Sequence, residues 1–199
     1  MPTGRIVLAA VLGGMTMFVW GAISHTLIPF SEDSLLGFTN EVAITEAIMA
    51  GAPSSGVYFL PWIPQRAEGM TDEQYTAQKE AAEQRMLNGP FMLASIRLGP
   101  MGSFGSYLVV QFITDIITAL FVCLVLARTG AGTLFVGGQT SVLIGVAGFA
   151  AISLPQWNWY AFSWAFTTAE LFDVVVGFFL GGLVIAKVAA MKKSPSTAA

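Results

Sequence analysis

The sequence predicts a mainly α-helical membrane protein. It has four transmembrane helices, both termini on the inner side, and a small α+β extracytoplasmic insertion between helices 1 and 2. Three observations predict this. The 199 residues are 55% hydrophobic and only 11% charged, with mean hydropathy +0.70, whereas soluble domains carry about 25% charged residues. The apolar residues gather in runs long enough to cross a hydrocarbon layer as helices. Basic residues flank those runs in a pattern that only an even number of spans brings to one side.

Residues 1–30 hold the first span. Arg5 precedes an apolar run from Ile6 to about Phe30. A basic start before an apolar run also opens secretory signals, but this run is too long for one and no small-x-small cleavage site follows. Gly14, Gly21 and Ala22 fall on the face of His25 at helical spacing. Small residues mark faces where membrane helices approach closely, so His25 is expected to point into a bundle. Pro29 marks the exit.

Residues 31–100 are the long polar segment and carry nine of the twelve acids, between Glu32 and Glu83. Asn40 caps a short helix over 40–51, stopped at Gly51 with Pro53 beyond. Thr71 and Gln74 have capping-box spacing, in which each side chain satisfies the other residue's backbone donor. They open a polar helix over 71–87, ended by Asn88-Gly89-Pro90. Two extended segments, 57–62 and 91–98, have the composition of a small antiparallel sheet. The segment has no His, no Cys and no glycine-rich phosphate loop.

Residues 101–193 hold the other three spans. The second runs from about Ser103 to Ala127, followed by Arg128 and a tight loop through Gly132. The third runs from Thr133 to Leu154 and is expected to stop at Pro155. Gln156–Tyr160 reads as an aromatic turn. The fourth runs from Ala161 to Lys187, and residues 194–199 read as a disordered tail. Arg5, Arg128 and the lysines at 187, 192 and 193 then share the inner side. The insertion and the uncharged WNWY turn lie outside, and Trp157, Asn158, Trp159, Tyr160 and Trp164 form an outer interfacial belt.

The stretches PQWNWYAFSWAFTTAELFDVVVGFFLGGLVIAK, GGMTMFVWGAISHTLIPF, SSGVYFLP and GPFMLASIRLGP resemble a family of uncharacterised bacterial four-helix integral membrane proteins. The likeness covers most of the chain and is densest in the last fifty residues. It implies the four-helix architecture and a bacterial cytoplasmic (inner) membrane. It implies no catalytic residue.

Ionisable residues inside membrane helices are costly and are functional candidates by default. His25, Asp115, Glu170 and Asp173 are the four here, with Gln111 on the face of Asp115. Asp173 and Glu170 share a face with Gly177 and Gly181. The spacing allows all of them to meet in one layer. Three carboxyls beside one imidazole cannot all stay charged in a low dielectric. The readings are a hydrogen-bond network that fixes helix register, contact with a partner subunit, or a proton, cation or metal site, for which His25, Glu170 and Asp173 are weak metal candidates. The leading expectation is a non-enzymatic structural or accessory membrane component, self-associated or within a larger complex; the alternative is proton, cation or metal handling. One histidine excludes a bis-histidine haem and one cysteine excludes an internal disulfide. No cofactor is expected, and nothing is basic enough for nucleic acid. The lipid bilayer is the expected partner.

Overall fold

The structure, a computed structural model, describes residues 1–29, 34–63, 65–130 and 133–190. They form α1 (Thr3–Leu27), α2 (Glu41–Gly51), β1 (Gly56–Leu60), α3 (Asp72–Asn88), β2 (Met92–Ile96), α4 (Phe104–Thr129), α5 (Leu134–Tyr160) and α6 (Trp164–Ala190). Helices α1, α4, α5 and α6 have 25, 26, 27 and 27 residues and are apolar enough to cross a membrane. At about 1.5 Å per residue each exceeds the hydrocarbon thickness of roughly 30 Å. The chain divides into two compact units. One holds the long helices, with α5 up to Pro155; the other holds residues 37–101 and 156–162.

In the helical unit, small residues decide which faces meet. Helices that are apolar all round have no stripe to bury, and in lipid close packing replaces the expulsion of water as the driving force. Successive turns of α1 face α6: Gly13 lies against Ile185, Met17 against Gly181 and Trp20 against Gly177. Gly14, one residue on, lies instead against the backbone of Ile116 in α4, where an added Cβ would sit 2.6 Å from Ile116 Cα. The Phe18 and Phe112 rings meet edge to face at 5.4 Å. These pairings run in opposite directions along the two chains, so α1 is antiparallel to both α4 and α6.

The other face of α6 receives α5. Gly137 lies against Ala186, Gly145 against the Phe178 ring, and a Cβ on Gly182 would fall 2.2 Å from Ser141 Oγ. Ser141 is fully buried and donates its hydroxyl to the Gly137 carbonyl at 2.8 Å. That bond hides its polarity within its own helix, so the residue packs as a small one. Ala9, Met17, Ala119, Val122, Cys123, Leu126, Ile185 and Val188 form the core, contributed by α1, α4 and α6.

In the second unit, β1 and β2 pair antiparallel, with Gly56 opposite Ile96, Tyr58 opposite Ala94 and Leu60 opposite Met92. Phe59 and Phe91 stack edge to face at 5.1 Å. The Tyr58 hydroxyl donates to the Ser54 carbonyl at 2.5 Å, and Leu98 N–H donates to Ser55 Oγ at 3.0 Å. Both caps expected from the sequence are present. Ala43 N–H donates to Asn40 Oδ1 at 3.0 Å, and the Thr71–Gln74 box closes with bonds of 3.2 and 3.1 Å.

The fourth span runs Trp164–Ala190, about three residues later than expected, and two boundaries differ for a clear physical reason. The third span continues through Pro155 to Tyr160, so WNWY is helical and not a turn. Proline removes one amide donor and crowds the carbonyl four residues back, while the residues after it keep their own bonds. The reversal falls at residues 161–163, where Ala161 takes φ 61° and Ser163 caps α6 by accepting from Phe166 N–H at 3.0 Å. At the other end, α1 stops at Leu27 because Ile28 is extended, as a residue preceding proline prefers. Phe30, loop residues Ala131 and Gly132, Lys192, Lys193 and the tail at 194–199 lie outside the described residues.

Candidate functional site: a polar clamp between two helices

The packing of α1 on α6 continues past Trp20 to a polar contact. Ser24 is fully buried, and its hydroxyl donates to Asp173 Oδ1. A carboxylate in a membrane helix needs such donors, because an unsatisfied charge in hydrocarbon is expensive. His25 stands beside this pair with its side chain 68% exposed, while that of Asp173 is 21% exposed. His25 Nδ1 is 3.8 Å from Asp173 Oδ2 but 3.0 Å from the Gly21 carbonyl oxygen. A carbonyl only accepts, so Nδ1 carries the proton in that bond. The imidazole therefore stands near the carboxylate as a polar neighbour, with its shorter bond inside its own helix.

This order of contacts has a chemical consequence. In a Ser-His-Asp catalytic relay the imidazole stands between hydroxyl and carboxylate and takes the serine proton. Here the hydroxyl bonds the carboxylate directly. Ser24 is thus a donor that satisfies Asp173 and ties α1 to α6, and the geometry does not activate it as a nucleophile.

One turn inward from the clamp, the Trp20 ring lies 5.8 Å from Phe172, and its edge covers Gly177. Its indole nitrogen is buried without a hydrogen-bond partner among the described residues. One turn outward, Glu170 is half-buried on α6. Among the described residues, no three His, Cys, Asp or Glu gather closely enough to hold a metal ion. His25, Glu170 and Asp173 accordingly do not assemble into a ligand set.

The other polar pair belongs to a different layer. Gln111 Nε2 donates to Asp115 Oδ1 at 3.0 Å within α4. Asp115 adjoins Ile116, which packs on Gly14. Gly14 is ten residues from Ser24 along α1, about 15 Å at helical rise. The expected single layer is therefore two separate pairs. His25 also departs from expectation: its side chain is 68% exposed beside Asp173, and nothing lies within 4 Å of an added Cβ at Gly21 one turn away. The sequence reading missed Ser24 and Trp20. The signal was present in the series 13, 17, 20, 24, which is spaced for one helical face and begins with a glycine.

Trp157, Trp159, Tyr160 and Trp164 are all exposed, as is Asn158. They occupy the last turn of α5 and the first residue of α6. Amphipathic rings suit the boundary between hydrocarbon and water.

Compared with protein-family models, curated proteins and solved structures, the chain gives no match.

Proposed function

We propose that this is an integral membrane protein with a structural or accessory role, acting as a second copy's partner or as a subunit of a larger membrane complex. The observation that carries the reading is the Ser24–Asp173 contact. The most deeply placed carboxylate of α6 is engaged in tying two helices together. Polar groups used this way fix helix register and pairing in a membrane.

The placement we propose is a bacterial cytoplasmic membrane, with both termini inside and residues 31–100 outside. Arg5, Arg128 and Lys187 flank α1, α4 and α6 at the ends that this orientation puts inside. The grouping of residues 156–162 with 37–101 in one compact unit supports it, since the orientation needs both outside. The membrane family named above from sequence resemblance fits the same placement and remains part of the proposal.

A second reading has its own observation: the exposed imidazole of His25 lies 3.8 Å from Asp173, an arrangement suited to passing a proton or holding a cation. One experiment separates the two. The protein is purified gently from its own membrane and studied by native mass spectrometry with elemental analysis, beside a Glu170→Gln, Asp173→Asn variant. The accessory reading expects a reproducible second copy or partner subunit, and a variant that loses stability or assembly. A stoichiometric metal that vanishes from a well-folded variant would overturn it in favour of the second reading.

A further inference from the structure

The unit formed by residues 37–101 and 156–162 contains a groove of about 600 Å³, lined by Leu60, Pro61, Trp62, Gln84, Arg85 and the Asn88–Pro90 corner. One wall is the chain leaving β1; the other is the last turn of α3 and the chain beyond it. The volume is in the range that small-molecule sites occupy, roughly 300–1,000 Å³.

The charges around it are informative. This segment is rich in acids, and two of its four cations, Arg66 and Lys79, pair with them. Arg66 pairs with Asp72 at 2.7 Å and Lys79 with Glu83 at 3.6 Å. Arg85 has no ion-pair or hydrogen-bond partner for its guanidinium among the described residues. The end of α3 accounts for a cation in general, because terminal carbonyls favour positive charge. It does not account for a rigid five-donor fork at the edge of an apolar hollow. Beside Arg85, Asn88 Nδ2 donates to the Gln84 carbonyl at 2.9 Å. The Gln84 side-chain amide offers donors of its own. On the other wall stand the Pro61 ring and Trp62, a residue 59% exposed, while Pro90 lies on the same wall as Arg85.

We propose that this groove is a binding site for a small aromatic carboxylate. A single guanidinium fork matches one carboxylate with two parallel bonds. A phosphate dianion asks for more positive charge than this groove offers, since Arg85 is the single cation among its lining residues. The flat apolar body is taken by Trp62 with Pro61 and Pro90, surfaces that suit an aromatic ring better than a flexible chain. The site lies in the polar insertion and does not depend on the role of the Ser24–Asp173 clamp.

The test uses the full chain in lipid nanodiscs and fluorine NMR of 4-fluorophenylacetate. The neutral 4-fluorophenylacetamide reports partition into lipid. The expected result is saturable broadening of the carboxylate beyond that of the amide. Arg85→Gln should weaken it about tenfold or more, as loss of a charge-assisted pair does. Arg85→Lys should fall between, because it keeps the charge and loses the fork. Trp62→Ala should also weaken it, with circular dichroism confirming that each variant keeps its helices. Equal broadening by acid and amide, no saturable binding up to millimolar carboxylate, or unchanged binding in a folded Arg85→Gln protein would each overturn the proposal.

Discussion

Replacing Gly14 with alanine isolates the close approach of α1 to α4. An added Cβ would lie 2.6 Å from Ile116 Cα, 2.7 Å from Ile116 N and 2.9 Å from Asp115 C. All three are backbone atoms, so no side chain can swing aside. Ordinary contact begins near 3.4 Å, and the helices must part by several tenths of an ångström to restore it. The movement loosens the Ala119, Val122 and Cys123 packing that the same approach creates. Overpacking of this kind costs about 1–3 kcal/mol, against a helix-propensity gain for Gly→Ala of roughly 0.5–1 kcal/mol. The net expectation is a loss of about 1–2 kcal/mol. Gly21→Ala supplies the internal control, because an added methyl there meets nothing within 4 Å. It should be neutral or stabilising. Both variants would be measured by reversible denaturation in bicelles. Gly14→Ala proving as stable as Gly21→Ala would refute the claim that this glycine sets the helix distance.

Four further outcomes are expected. Ser24→Ala should destabilise by about 1–3 kcal/mol, because it leaves Asp173 without its hydroxyl donor. Asp173→Asn should cost less, since an amide oxygen still accepts; a double-mutant cycle in bicelles that gave no coupling would remove the clamp from the account. Ala161→Gly should raise the unfolding temperature, because φ 61° strains a side-chain-bearing residue by about 1–2 kcal/mol. Thr71→Ala should cost α3 about 1 kcal/mol by opening the capping box, seen as faster amide exchange over residues 72–75.

The sequence alone determined what local chemistry can dictate. Apolar runs longer than the bilayer gave four long helices, because an unpaired backbone cannot lie in hydrocarbon. Asn40 and the Thr71–Gln74 box announced two helix starts through side chains that bond their own neighbours. The extended segments expected over 57–62 and 91–98 pair as a two-stranded sheet over Gly56–Leu60 and Met92–Ile96. Facing was different. A helix that is apolar on every side carries no periodicity to orient it, so the order of contacts lay with tertiary packing. Adjacent Gly13 and Gly14 serve different helices, a division no spacing rule contains. The candidate site shows the same split. Its costly ionisable groups were legible one by one. Their separation into two layers, the exposure of His25, and the choice of Ser24 as the partner of Asp173 were decided only when α1 came to lie between α4 and α6. The physical reason is that capping and chain polarity act within a few residues, whereas contact between helices depends on which small side chains happen to permit the closest approach.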